Sequence, residues 1–478
     1  MERYPSNLRW CAFVATLLIL LTFCFYQTIV NDYTTFPVNI REKNDFLIDD
    51  GPPPNKYLSL SNDDVSQCRN IKRKNVTCRS LIRGDEKAVS LSKTTKFFDL
   101  VQPCMILSLA KNCTALLDVH GYVKRSLSLE EQEFPLAFTI KMHSSADQGE
   151  QLLRNIYRPH NVYCIYVDRK TIKQIFNIMQ QLGRCFDNVF VVEGRKRVTY
   201  ASIDLVHAEL ECMKILMRSN VKWKYYINLT GQEFPLKTNL EIVKILKTLN
   251  AANDVESYEF PAVLQYRYKY KYTRYKNKMV KTNITHPPFR YPINIRKGSA
   301  YAMLTYDFVN FILNDHISKT FIEWLADTYS PEETLFATLN SLPWAPGGYD
   351  IMTSEDNNTF LSRAIKWQTK RVDCGGRWVR GICVYGPSDL PWLVRQPQII
   401  ANKFDIQIDT TSVDCLEEII RYRTNYPDTV EMNWIYYRKL PHAMLYRNLT
   451  QRIGTLQYSE YLARKKLEWK QRYEYVVM

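Results

Sequence analysis

The chain has 478 residues, 46% of them hydrophobic and 24% charged, so it can bury a sizeable core and has an ordinary globular composition. Its 64 Lys and Arg give a net charge of +15. That charge suits an anionic partner, whether nucleic acid, an acidic membrane face or a phosphorylated substrate, and length allows one large domain or two to three small ones.

Arg3 and Arg9 precede a nearly unbroken apolar run from Trp10 to Val30. About 20 apolar residues match a bilayer span better than the shorter core of a signal peptide, and no small-x-small cleavage site follows. Residues 1–9 therefore read as a cytoplasmic tail and 10–30 as a transmembrane signal anchor, with the remainder outside the cytosol by the positive-inside rule. A cleaved signal peptide is the rival, and it too delivers the body to the secretory pathway.

Ten of the twelve cysteines (Cys68, Cys78, Cys104, Cys113, Cys164, Cys185, Cys212, Cys374, Cys383, Cys415) lie past this run. An even number in an oxidising compartment suggests disulfides, whereas zinc is disfavoured by the absence of Cys-x-x-Cys and the scatter of the seven histidines. Sequons at Asn75, Asn112, Asn283, Asn357 and Asn448 fit a lumenal surface. Asn228 also heads a sequon, but it ends an apolar strand and is expected to be buried and unused.

Residues 31–77 are polar, with Asp49-Asp50-Gly51-Pro52-Pro53-Pro54 at their centre, and read as a stem. Short helical patterns run from Cys78 to Phe134. From Leu136 strands alternate with helices: strands at Leu136–His143, Val162–Val167, Asn188–Val192 and Tyr225–Leu229, helices at Gly149–Tyr157, Thr171–Leu182, Ala201–Met217 and Asn239–Leu249. This order predicts an α/β fold with a mostly parallel sheet, and ligands at the strands' carboxyl ends, where His143, Asp168 and Gly231 fall. Neither G-x-G-x-x-G nor a P-loop occurs, so any phosphate must be held by side chains.

Basic and aromatic residues alternate from Arg267 to Lys278. Behind a membrane anchor this reads as a solvated strand or loop beside a sugar site, not as a nucleic-acid surface. A strand is expected at Ser299–Leu304. In Ser330-Pro331-Glu332-Glu333 the pattern predicts a capping box, with Ser330 as N-cap, Pro331 at the first helical position and Glu333 reaching back, followed by a helix whose buried face is Leu335, Phe336, Leu339 and Leu342. A segment rich in Trp, Arg and Cys runs from Trp367 to Cys415.

Several collinear motifs together resemble the core-2/I-branching β-1,6-N-acetylglucosaminyltransferases. They are Asn161-Val-Tyr-Cys-Ile-Tyr-Val-Asp-Arg-Lys170, Cys185-Phe-Asp-Asn-Val-Phe190, Trp223-Lys-Tyr-Tyr-Ile-Asn-Leu229 with Gln232-Glu-Phe-Pro-Leu-Lys-Thr-Asn-Leu240, Gly298-Ser-Ala-Tyr301, Ser330-Pro-Glu-Glu333 and Ala401-Asn-Lys-Phe-Asp405. The resemblance spans about Cys78 to Cys415 and implies a catalytic domain over 78–422, leaving 423–478 as an extension of unassigned role.

It further implies a GT-A-like fold in a type II Golgi membrane protein. The reaction would be an inverting transfer from a UDP-sugar to the 6-hydroxyl of a galactose or GalNAc on an O-glycan or glycoprotein, with no metal and no other cofactor. The sequence agrees in having Asp168-Arg169-Lys170 where an Asp-x-Asp would follow the strand. The family's uridine contacts fall on His143, Asp168 and Tyr200, its diphosphate contacts on Arg380 and Lys403, its catalytic base on Glu333 and its acceptor contacts on Glu256, Arg267 and Trp367. Its disulfides imply Cys78–Cys415, Cys113–Cys185, Cys164–Cys212 and Cys374–Cys383. Cys68 and Cys104 have no counterpart, so they pair with each other or one links two chains into a homodimer.

Two departures bear on the acceptor: Thr369 stands where the family has an aromatic residue, and the loop from Trp367 to Cys374 looks shortened. Alternative readings are transfer of glucose or xylose, as in the related protein xylosyltransferases with their serine acceptor, and a non-catalytic lumenal glycan-binding module.

Overall fold

The computed structural model describes residues 76–94, 111–351, 360–429, 431–454 and 457–473. The expected membrane anchor, most of the stem, Cys68, Cys104, Asn75 and Asn357 lie outside the described residues. Among those described, no helix is long and apolar enough to cross a membrane.

Four strands, β1 (Leu136–Met142), β2 (Val162–Val167), β3 (Val189–Val191) and β4 (Tyr225–Thr230), pair in parallel. All of β2 and nearly all of β1 is buried, as befits parallel strands covered on both faces. The period of two sorts their side chains between layers. Leu136, Phe138 and Ile140 pack with Leu152, Leu153, Ile178 and Leu182, from the helices Ala146–Ile156 and Lys173–Gly183. On the other face Ala137, Val162 and Cys164 meet Val206, Leu210 and Met213 of the helix Asp204–Arg218.

Eleven further strands complete the described set: β5 (Glu233–Pro235), β6 (Asp254–Val255), β7 (Tyr258–Glu259), β8 (Tyr270–Tyr275), β9 (Lys278–Thr285), β10 (Arg296–Lys297), β11 (Ala302–Thr305), β12 (Arg363–Ile365), β13 (Arg377–Val379), β14 (Ile382–Val384) and β15 (Ile400–Asn402). The main sheet runs β3-β2-β1-β4-β11-β6, with β11, the strand expected at Ser299–Leu304, antiparallel to both neighbours. The sheet is therefore mixed and mostly parallel. A second sheet, β12-β15-β5, stands beside the end of β4, and β8–β9 and β13–β14 form separate hairpins.

All four implied disulfides are formed: Cys78–Cys415, Cys113–Cys185, Cys164–Cys212 and Cys374–Cys383. Asn228 is buried, and its side-chain amide joins β4 to β11 through Ala300 O and Ala302 N–H, so its sequon is closed to modification. Asn112, Asn283 and Asn448 are exposed.

Several of the described residues after Tyr422 are built into the body. Met432, Tyr436, Tyr437, Leu440, Ala443 and Tyr446 join the same core cluster as β1. His442 is fully buried, stacked on Tyr349 and 3.5 Å from Asp254. Burial pushes the Asp254 carboxyl up to about 7 and the His442 imidazole down to about 3.

Candidate active site

The carboxyl ends of the parallel strands β1, β2 and β4 lie at one edge of the sheet. Gly231 follows β4 and its N–H donates to Lys141 O at 2.9 Å. A Cβ at Gly231 would lie 2.9 Å from Met142 Cβ, so only glycine fits. Asp168 follows β2 and is buried; its Oδ1 accepts from Lys170 N–H (2.8 Å) and Val198 N–H (3.3 Å), while Oδ2 lies 3.3 Å from Lys170 Nζ. One carboxylate oxygen thus shapes two loops and the other faces a cation. His143, at the end of β1, feels Asp168, Lys170, Lys403 and Arg380 together; burial, helped by the three cations, lowers its pKa against the opposing pull of Asp168. The donor residues expected from widely separated motifs therefore share one cluster.

Two left-handed residues hold the next part. Ala201 (φ 59) and Ser330 (φ 52) meet through Ser330 N–H donating to Ala201 O at 3.0 Å. Non-glycine residues in this region store strain that concentrates at functional sites. Here the bond brings Tyr200 beside Glu332 and Glu333, whose charges, after burial, raise the Tyr200 pKa. It also corrects the capping-box expectation: Ser330 makes no side-chain cap, Pro331–Glu333 is a 3₁₀ turn, and the Ser330 N–H that Glu333 was to cap is taken by Ala201. The following helix, Leu335–Asn340, does bury Leu335, Phe336 and Leu339, with Leu342 just beyond.

Relieved of capping, the Glu333 carboxylate meets two cations. Arg267 Nη1 lies 2.6 Å and Lys297 Nζ 2.9 Å from the same oxygen, Oε2. Among the described residues Oε1 has no partner, and the side chain is 31% exposed, so that oxygen can accept a proton from a hydroxyl. Gly298 fixes the main chain below: its N–H donates to Glu333 O at 2.8 Å, and a Cβ there would fall 1.9 Å from Glu256 O. Glu256, Tyr258, Lys297 and Glu333 act on one another electrostatically. Glu256 and Arg267 are thereby placed around Glu333, while Lys297 and Tyr258 are neighbours of that carboxylate the sequence reading missed. Lys297 directly precedes the Gly298-Ser-Ala-Tyr301 motif, which was the available signal.

Arg380 and Lys403 come from one cross-linked unit. Arg380 (φ 54) and Gly381 (φ 79) form the two-residue turn between β13 and β14, both in the left-handed region that such turns require. Cys374–Cys383 clamps this hairpin, and Tyr385 N–H donates to Lys403 O at 2.9 Å, tying Lys403 alongside. The Arg380 guanidinium lies 5.4 Å from the Tyr200 ring centre. Burial and then Arg380 lower the Lys403 pKa. Among the described residues neither cation has a carboxylate partner within ion-pair distance. Trp367 bridges to Ile382, and Gln368 N–H bonds Gly381 O at 2.9 Å, so Trp367 borders the Arg380 turn.

Beneath both groups lies a buried polar floor, also unforeseen. Arg363 is fully buried, pairs with Glu233 at 2.9 Å and sits 4.6 Å from the Tyr301 ring centre. Asn402, next to Lys403, donates to Glu233 Oε1 (2.6 Å) and Tyr301 OH (2.9 Å). Removing one partner of such a buried pair typically costs ~3–5 kcal/mol, so this floor rigidly relates Lys403 to the end of β4.

Glu332 points into the body. Its Oε2 is buried without a hydrogen-bond partner, although the residue keeps some exposed surface. Burial and the Glu333 charge push its carboxyl up to about 8, against Lys141, itself paired with Glu209, and Arg267. From the ordinary 4.5 up to about 8 the folded protein holds a proton that the unfolded chain has released, so this group makes stability fall as pH rises through that window. Glu332→Gln should therefore melt above the wild type by a margin that widens from about pH 5 to about pH 8.5. A margin constant with pH would show that Glu332 is already ionised.

Residues 136–394 match the Core-2/I-Branching enzyme family. The chain belongs to that family. It is 35% identical over 387 residues, 75% of this chain and 87% of the other, to human "Beta-1,3-galactosyl-O-glycosyl-glycoprotein beta-1,6-N-acetylglucosaminyltransferase 3". To the human protein of the same name without a number it is 32% identical over 419 residues, 84% and 94% of the two chains. A zebrafish relative, number 4 of that name, is 37% identical over 326 residues, 66% and 76% of the two. Among solved structures, a mannosyltransferase of S. cerevisiae covers 53% of this chain and 81% of its own at 8% identity and TM-score 0.24, a likeness too slight to bear on the fold. As a core-2/I-branching family member the chain is a glycosyltransferase.

Proposed function

We propose that the chain transfers N-acetylglucosamine from UDP-GlcNAc, with inversion and without a metal, to the 6-hydroxyl of a GalNAc or galactose in an O-glycan. The carrying observation is the division of labour at Glu333, where two cations share Oε2 and Oε1 is left open. In the step proposed, Oε1 takes the proton of the acceptor hydroxyl as its oxygen bonds to the anomeric carbon. The bond from that carbon to the β-phosphate oxygen breaks, and its electron pair leaves on UDP. Arg380 and Lys403 meet the charge that gathers on the diphosphate, as fixed cations in a preorganised cleft do. His143, Asp168 and Tyr200 would hold the uridine end, with Glu256, Arg267 and Trp367 on the acceptor. The names of the relatives support the donor, linkage and acceptor class.

A GT-A-like fold, a lumenal catalytic domain and Golgi residence as a type II membrane protein complete the reading, supported by the apolar run at residues 10–30, the disulfides and the exposed sequons. Thr369 is exposed beside Trp367 and removes a flat apolar surface that sugars stack on, so acceptor rank order should shift from ordinary core-2 branching. The test is a panel of UDP-GlcNAc, UDP-glucose and UDP-xylose against core-1 disaccharide, lactosamine and a serine peptide. Transfer of GlcNAc to a disaccharide supports the reading; transfer only of xylose to serine, or of nothing, defeats it.

A further inference from the structure

The basic and aromatic run after Arg267 takes no part in the chemistry beyond that arginine. It folds as the β8–β9 hairpin, outside both larger sheets. Its root is firmly held: Tyr272 is buried against the Tyr329 ring (5.2 Å), Asp327 receives Lys271 Nζ (2.9 Å) and His286 Nε2 (2.7 Å), and Arg274 pairs with Asp204. The short helix leading into β8, Tyr266–Lys269, carries the Arg267 that grips Glu333. The hairpin is thus continuous with the catalytic carboxylate.

Its tip is different. Lys276 (φ 44) and Asn277 (φ 61) make a left-handed two-residue turn, which fixes the register of Tyr275 opposite Lys278 and Thr273 opposite Val280. Those four side chains share one face, whereas Tyr272, Arg274, Met279 and Lys281 take the face that includes the buried Tyr272 and the Asp204 anchor. On the outer face Tyr275 is 60% and Val280 42% exposed. Among the described residues Lys276 and Lys278 form no ion pair. Lysines on an exposed strand edge deter aggregation by themselves, but that device does not call for large apolar side chains in the open between them. Lys276 Nζ lies 5.4 Å from the Tyr275 ring centre, and apolar side chains rimmed by cations without a carboxylate partner suit a partner that is both apolar in part and acidic.

We propose that the outer face of this hairpin docks the acidic glycoprotein that carries the acceptor sugar, gripping it outside the reacting residue. This rests on the reading above that the acceptor is an O-glycoprotein. Continuity of the hairpin with Arg267 and Glu333 favours that occupant over an anionic membrane face.

The test uses the full-length, glycosylated protein and a variant carrying Tyr275→Ser, Lys276→Glu, Lys278→Glu and Val280→Ser. Each receives UDP-GlcNAc with either a free core-1 disaccharide or a sialylated mucin-type glycoprotein. The disaccharide kcat/KM should stay within about two-fold, while the glycoprotein kcat/KM should fall about ten-fold or more, through KM. The wild-type advantage should shrink as salt rises from about 50 to about 300 mM. Equal loss on both acceptors, or no loss on either, overturns the proposal. So does an unchanged glycoprotein rate with lost binding to phosphatidylserine vesicles, which would assign the face to a membrane. If the wild type transfers nothing to either acceptor, the functional reading fails first; direct binding of the mucin to wild type and variant then decides the hairpin separately, with equal binding overturning it.

Discussion

Glu333→Gln should lower turnover by ~10²–10⁴-fold while UDP affinity changes by no more than a few-fold, the scale expected when a positioned base is lost. The substitution keeps side-chain size, and its amide oxygen can still accept from Arg267 and Lys297, which now grip Oε2 at 2.6 and 2.9 Å. What disappears is the open oxygen able to hold a proton. The structure removes the main rival explanation, because Glu333 does not cap the turn: the Ser330 N–H goes to Ala201. Initial rates at saturating UDP-GlcNAc and calorimetric UDP titration separate the two effects. A variant with more than about a tenth of wild-type turnover would leave Glu333 with a structural role alone.

Arg380→Ala and Lys403→Ala should each reduce turnover by ~10²-fold or more, the cost of losing one preorganised donor to a developing charge. The two are complementary. Arg380 offers a planar fork on a rigid left-handed turn, and Lys403 offers a point charge whose main chain is tied to the same cross-linked hairpin. Arg380→Lys should recover only part of the loss, since one ammonium cannot reproduce bidentate contact. Two solvated surface charges would instead give nearly unchanged rates in all three variants, which stopped-flow or end-point assays under excess donor would reveal at once.

The parallel half of the fold was legible because strands buried on both faces leave unbroken apolar runs, and helices of three turns show their period. The expected residues do converge in space, but the bonds that bring them together were not legible. Ser330 looks like a cap by local pattern; its left-handed backbone is set instead by Ala201, far away in sequence, and no local rule reports such a bond. Lys297 carries no signal of its own and becomes a partner of Glu333 only when Gly298 brings β10 against the turn. The packing of the tail was illegible for the same reason. Met432, Tyr436, Leu440 and Ala443 come from two short helices, Trp434–Arg438 and Pro441–Ile453, and the residues flanking them, and their partners in β1 and the helix Asn239–Thr248 are visible only in three dimensions.

The central claim is that side-chain cations do at this site what a divalent ion does in many sugar transferases. The most direct measurement is the rate of GlcNAc transfer from UDP-GlcNAc to core-1 disaccharide in excess EDTA, with the product linkage read by NMR. The account predicts an undiminished rate and a β-1,6 product. Activity abolished by the chelator and restored by Mn²⁺ would contradict it, since Arg380 and Lys403 would then supplement a metal rather than replace one.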